Sequence, residues 1–149
     1  MGTRSAIGYR QPSGAVRAVY CHYDGYPKHQ LPILRKHYDT LDKVKALIRP
    51  GSMSSLRTRQ KWDNYGEPIE DANGYTRDLE GYVMYTNDRE PQPLYHTERG
   101  EKIKDCGPRV SHFPRNLWFH QHDCEHLYVF EPSSGMWVHI PEHLAGDNA

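Results

Sequence analysis

Thr3-Arg4-Ser5-Ala6-Ile7-Gly8-Tyr9-Arg10 and Ala15-Val16-Arg17-Ala18-Val19-Tyr20-Cys21-His22-Tyr23, separated by Gln11-Pro12-Ser13-Gly14, decide the fold of this 149-residue chain. Pro12 presets one turn torsion and Gly14 relieves another, so the two stretches are expected to pair as an antiparallel hairpin. In the second strand Val16, Ala18 and Tyr20 alternate with Val19, Cys21 and Tyr23, which puts apolar or aromatic side chains on both faces. Such a strand belongs inside a sheet rather than on its edge. Asp24-Gly25-Tyr26-Pro27 then breaks it.

Past that break Leu31, Leu34 and Tyr38 share one helical face at i, i+3 and i+7, and Pro32 is expected in the first turn, where its missing N–H costs nothing. Asp39 or Thr40 is expected to cap a second helix, in which Leu41, Val44, Leu47 and Ile48 continue the apolar stripe until Pro50-Gly51 ends it. A further helical turn is expected over 52–56. Residues 57–80 show no usable periodicity and contain the turn chemistry of Asn64-Tyr65-Gly66 and Asn73-Gly74, so they read as a long loop. Residues 82–86 read as a short strand. Residues 87–117 read as a second irregular stretch, with a helical turn after Pro114. The chain closes with a hairpin of residues 126–131 and 136–140 around Pro132-Ser133-Ser134-Gly135, followed by a frayed tail over 141–149. The expected architecture is a single α+β domain, a small antiparallel sheet of about five strands with one or two helices packed on one face.

Composition narrows the possibilities. Hydrophobic residues make up 36% of the chain and the mean hydropathy is −0.90, so aliphatic side chains are scarce. Eleven Tyr and three Trp make up part of the deficit, since each buries a large face and keeps a polar handle. No run of about 18 apolar residues is present, and residues 1–10 lack the apolar segment of a secretory signal, so a cytoplasmic protein that does not enter the membrane is expected. Three cysteines without repeated spacing are expected to be reduced thiols. The sequence has no Walker loop, Rossmann fingerprint, serine elbow or His-Glu-x-x-His.

The formal charge is zero but unevenly spread. Residues 28–61 hold nine Lys/Arg against two acids, and residues 62–101 hold ten acids against three Arg. Either the two blocks pair across the folded surface, or the basic residues of the helices, Lys36, Lys43, Lys45 and Arg49, form an exposed face for phosphate or an acidic protein. Aromatic residues interleaved with Arg57, Arg59 and Lys61 would suit stacking on a base.

Two clusters invite metal or nucleophile chemistry. In His120-Gln121-His122-Asp123-Cys124-Glu125-His126, an extended backbone would place His120, His122, Cys124 and His126 on one face, and Cys106 or His112 could complete a tetrahedral zinc site. The spacing matches no standard zinc module, so no stoichiometric metal is expected. In Cys21-His22, strand neighbours point to opposite faces, so His22 cannot activate Cys21, which reads as a buried small hydrophobe.

Gly2-Thr3-Arg4-Ser5-Ala6-Ile7, Tyr20-Cys21-His22-Tyr23-Asp24-Gly25-Tyr26-Pro27 and Gly51-Ser52-Met53-Ser54-Ser55-Leu56 are motifs of a wider kind. On them the chain resembles a family of small tailed-bacteriophage proteins of open function, with the likeness concentrated in residues 2–56. Further on, the aromatic strand before Asp88-Arg89-Glu90 and the final hairpin with Trp137 also resemble it. Asn87 stands where the family tends to have Arg, and no Gly follows Arg89. The resemblance implies a phage accessory protein of the host cytoplasm and a surface site that includes Arg4, His22, Asp24 and Tyr26. Asp88 and Arg89 form a second candidate site, for magnesium or phosphate. The expected function is a non-enzymatic binding protein that inhibits or redirects a host protein or defence component. Two alternatives stand beside it: sequestration of a nucleotide or nucleic acid, and a metal-dependent hydrolase using Asp24, Asp88 and the histidine cluster.

Overall fold

In the computed structural model, which describes residues 2–56, 75–77, 83–85 and 93–142, the N-terminal hairpin forms first in the chain and central in the sheet. Strand β1 (Ser5–Arg10) pairs antiparallel with β2 (Val16–Tyr23), Ser5 opposite Cys21 and Arg10 opposite Val16. Helices α1 (Pro27–His37) and α2 (Leu41–Ile48) follow, then β3 (Met53–Ser55). Strands β4 (Tyr75–Arg77) and β5 (Val83–Tyr85) pair with each other in a separate two-stranded sheet. The chain continues through β6 (Leu94–Tyr95), a 3-10 turn (His96–Arg99), α3 (Ile103–Cys106), β7 (Arg109–Ser111), a π-helical turn (Asn116–Gln121), β8 (His126–Glu131) and β9 (Met136–Pro141).

The main sheet has the order β6-β3-β2-β1-β8-β9, with β7 beside the first half of β2. It is mixed, which corrects the expected antiparallel sheet. The pair β1–β8 and the pair β2–β3 both run parallel. A parallel neighbour requires a crossover, and α1 with α2 supply it between β2 and β3. Residues 53–55 are a strand rather than the expected helical turn. The second half of β2 offers its backbone to them, Cys21 opposite Met53 and Tyr23 opposite Ser55, and the pairing buries Met53 completely. Residues 93–117 also differ from the irregular stretch expected, because β6 pairs with β3 and β7 with β2.

Alternation along β2 decides the layers. Val19 and Cys21 face α1 and α2 in a core that includes Ile7, Leu34, Val44, Leu47, Ile48, Tyr128 and Phe130. Val16 and Ala18 face the other way, where Trp118 and Phe119 of the π-helical turn cover Ala6, Leu127 and Val129. Both faces of the sheet are therefore packed, not the single face expected.

Polar side chains fasten the helices to the sheet. Buried Gln30 of α1 accepts from Ser5 Oγ at 2.9 Å and donates to Cys21 Sγ at 3.4 Å. The His29 ring bonds the carbonyl of Leu56 at 2.7 Å, and Trp137 Nε1 donates to the carbonyl of Tyr38 at 2.8 Å. Tyr95 donates to the carbonyl of Leu47, closing the end of α2. Thr40 caps α2, its hydroxyl accepting from the Lys43 amide. Pro27 takes the first turn of α1, so Pro32 stands inside the helix rather than at its start. Proline forfeits one helical hydrogen bond there, and burial of Ile33 and Leu34 offsets the cost.

The Asp24-Gly25-Tyr26-Pro27 break is a structural joint. Asp24 is left-handed at φ +58°, a region that Asp tolerates better than most residues. The Gly25 amide donates to the Thr3 carbonyl at 2.9 Å, and the Gly25 carbonyl accepts from Tyr128 Oη. A Cβ on Gly25 would lie 2.7 Å from that Thr3 oxygen and from Ser5. Gly25→Ala is therefore expected to lose about 1–3 kcal/mol of stability in urea denaturation, and Asp24→Gly to change it by less than about 1 kcal/mol. Equal losses in both variants would mean that the Asp24 side chain, not the joint's backbone, carries the stability.

Candidate functional site

Where β2 passes beyond the cover of the π-helical turn, its outer face presents Tyr20 and then His22. Tyr20 Oη and His22 Nδ1 lie 2.7 Å apart, in hydrogen-bond contact. Beside them the His96 amide donates to the Ser52 carbonyl at 2.9 Å, which hangs the 3-10 turn on the start of β3 and sets the His96 ring edge-on to Tyr20 at 6.5 Å. Gly51 allows this approach. It is left-handed at φ +96°, and a Cβ there would lie 2.5 Å from the Cys106 carbonyl, which itself accepts from the Ser52 amide at 2.7 Å. Trp118 and His122, with ring centroids 5.0 Å apart, form the far wall.

These elements enclose a cavity of about 170 Å³, lined by Tyr20, His96, Trp118 and His122 together with Ser52, Glu101, Asp105, Cys106, Gly107 and Arg109. Its walls combine buried aromatic rings with exposed charged side chains. His96 is 8% exposed and Trp118 1%, and His96 Nε2 and Trp118 Nε1 have no hydrogen-bond partner among the described residues. Glu101 Oε2 lies 3.5 Å from His96 Nδ1 and accepts from Arg99 Nε at 2.6 Å. Burial first, and Arg99 second, push the His96 pKa below its ordinary value of 6.5, against a smaller opposing pull from Glu101. Burial and then Arg109 do the same to His122. Burial raises the Tyr20 hydroxyl, with Arg4 pulling in the opposite direction. At neutral pH the cavity thus holds uncharged imidazoles and an uncharged phenol.

The residues expected from sequence distribute unequally around this cavity. Arg4 precedes β1 and sits close enough to Tyr20 to act on its hydroxyl, and His22 bonds that hydroxyl directly. Tyr26 is elsewhere. It precedes α1, its ring is tilted against that of His29 with centroids 5.8 Å apart, and it lines a shallow depression with Thr3 and Glu125. Asp24 occupies the joint described above. Among the basic residues, Lys43 bonds Asp39 at 2.9 Å and Lys45 lies 5.8 Å over the Tyr9 ring, while Lys36 and Arg49 are exposed. Asp88 and Arg89 lie outside the described residues, as do Arg57, Arg59, Lys61, most of the acidic block and the tail beyond residue 142.

The histidine run is not extended, so its alternation does not gather ligands. His120 lies inside the π-helical turn, Asp123 is left-handed at φ +55°, and β8 starts only at His126, whose ring meets His139 at 2.9 Å. No group of three His, Cys, Asp or Glu side chains among the described residues could hold a metal ion. Burial pushes the Cys21 and Cys124 thiols up to about 12, so neither forms a nucleophilic thiolate at neutral pH.

Sequence reading missed Tyr20, His96, Trp118 and Arg109 as neighbours. Each sits on a different short element, and no local spacing connects them. Trp118 alone left a trace, in the helical turn expected after Pro114.

The lowered histidine pKa values make stability depend on pH. Because the folded values lie below that of an unfolded histidine, the unfolded chain takes up protons first as pH falls. This contribution is therefore fully present above about pH 6.5 and is lost progressively below it. Melting temperature should fall between pH 7 and pH 5, and His96→Gln or His122→Gln should each reduce that fall. An unchanged slope in both variants would mean that neither imidazole is buried neutral.

Compared with known protein families, curated proteins and solved structures, the chain matches none.

Proposed function

We propose that the protein binds a small nucleotide-type ligand, with the outer-face cavity as its site. The observation that carries this reading is the pair of buried polar atoms, His96 Nε2 and Trp118 Nε1, both on residues that line one cavity and both without a partner among the described residues. A buried polar atom left unpaired costs about 1–3 kcal/mol, so two beside one cavity suit a place where a ligand supplies the partners. Tyr20 and Trp118 offer aromatic surface for a ring, and Arg109 and Arg4 offer guanidinium groups for phosphate nearby. At about 170 Å³ the cavity is smaller than the roughly 300 Å³ at which whole-ligand pockets begin, so it takes one ring and leaves the remainder of the ligand at the rim.

The resemblance to tailed-bacteriophage proteins supports a non-enzymatic sequestering role for this binding in the host cytoplasm, directed at a signalling nucleotide of host defence. Docking of α1 and α2 on a host protein has less support, because Lys43 and Lys45 are engaged within the chain by Asp39 and Tyr9. A hydrolase using Asp24 with the histidine cluster has less still, because Asp24 belongs to the joint between β2 and α1.

Native mass spectrometry tests the reading. The purified chain, incubated with a panel of nucleoside monophosphates, diphosphates and cyclic nucleotides, should retain at least one at one copy per chain, and Trp118→Phe should retain less. No adduct with any member of the panel would refute the proposed function.

A further inference from the structure

We propose that the cavity between the two hairpin turns and the start of α2 is a second small-molecule site, one that takes a monocarboxylate with an apolar body. It lies on the helix-covered side of the sheet and shares no lining residue with the outer-face cavity, so the two sites stand or fall separately.

Tyr9 near the end of β1, Leu41 and Lys45 of α2, Pro12 of the first hairpin turn and Pro132 of the last line this cavity. Its volume of about 420 Å³ lies within the range of roughly 300–1,000 Å³ in which whole small ligands are held. Two polar groups on its walls are left unanswered. Tyr9 is 9% exposed, yet its hydroxyl has no hydrogen-bond partner among the described residues. Unlike His96 Nε2 and Trp118 Nε1, that oxygen is not sealed from its surroundings, and the cavity that Tyr9 lines is where it opens. Lys45 Nζ lies 5.8 Å from the centroid of the same ring and meets no carboxylate among the described residues. A ring face attracts an ammonium without neutralising it and leaves it N–H donors for a further partner.

The ammonium can only donate, and the phenol beside it also has a proton to give, so an anionic acceptor answers both. Charge limits which anion. Arg10 lines the cavity too, but its Nε donates to both oxygens of Glu131 at 2.9 and 3.1 Å, and Nη1 donates to the Gly14 carbonyl at 2.9 Å. That ion pair cancels, so Lys45 leaves the walls with one net positive charge, and Glu131 repels a second negative one. A carboxylate matches this balance, whereas a phosphate monoester, at about −1.5 to −2 near neutral pH, exceeds it. Leu41, Pro12 and Pro132 supply apolar surface for the remainder of the ligand.

Titration of the full chain with phenylacetate, followed through its backbone amide NMR resonances at neutral pH, tests the assignment. Phenylacetate should bind at one site and shift resonances around Tyr9 and Leu41. The uncharged phenylacetamide should bind about fivefold or more weakly, and inorganic phosphate should not displace the carboxylate. Lys45→Gln and Tyr9→Phe should each weaken phenylacetate about threefold or more while leaving phenylacetamide nearly unchanged, and Lys45→Arg should restore most of the loss. Lys45 is exposed and Tyr9→Phe removes a single oxygen, so both variants keep the fold. Equal binding of acid and amide, indifference to both substitutions, or displacement by phosphate would overturn the carboxylate assignment. No saturable binding of phenylacetate at millimolar concentration, or shifts confined to other parts of the chain, would overturn the site itself.

Discussion

Trp118 seated on the outer face of the sheet is the contact from which the outer half of the molecule is organised. It is 1% exposed and packs in one cluster with Ala6, Ala18, Leu127 and Val129. The indole fits because β1 and β2 present alanines there. A larger side chain at either position would push it away, since a packed interior does not absorb added volume cheaply. With Trp118 fixed, the π-helical turn that carries it holds His122 in place, and the cavity has its far wall.

The opposite face works by a different principle. Apolar burial holds α1 and α2 on the sheet, but buried polar side chains fix where they sit: Gln30 between Ser5 and Cys21, His29 on the Leu56 carbonyl, Trp137 on the Tyr38 carbonyl and Tyr128 on the Gly25 carbonyl. Each gives a buried backbone or side-chain group its partner, so a displaced helix would leave several unsatisfied at once. On the outer face, His96 Nε2 and Trp118 Nε1 have no such partner among the described residues. Most buried polar groups have partners, and these two without them lie on residues that line one cavity.

The motif residues of the N-terminal quarter divide between these two roles. Asp24, Gly25 and Pro27 make the joint that turns β2 into α1, and their identity follows from a left-handed torsion, a close backbone approach and a helix start. His22 faces the cavity side and bonds Tyr20. Adjacent residues in one short motif thus serve unrelated ends, because strand neighbours point to opposite faces and the joint then reverses the chain.

By itself the sequence determined the local elements whose signals are local. The N-terminal hairpin, the two helices with a cap at Asp39 or Thr40 and the closing hairpin each rest on periodicity, turn chemistry or capping within about ten residues. The two-faced apolar pattern of β2 likewise required an interior strand. Only the tertiary structure decided the parallel pairings of β1 with β8 and β2 with β3, the strand at 53–55 and the covered outer face, because hydrogen-bonding partners far apart in the chain leave no periodic mark. It alone also assembled the cavity. Tyr20, His96, Arg109 and Trp118 come from four separate elements, and their chemistry exists only where the sheet and the turn over Trp118 bring them within contact, a matter of packing that no spacing along the chain encodes.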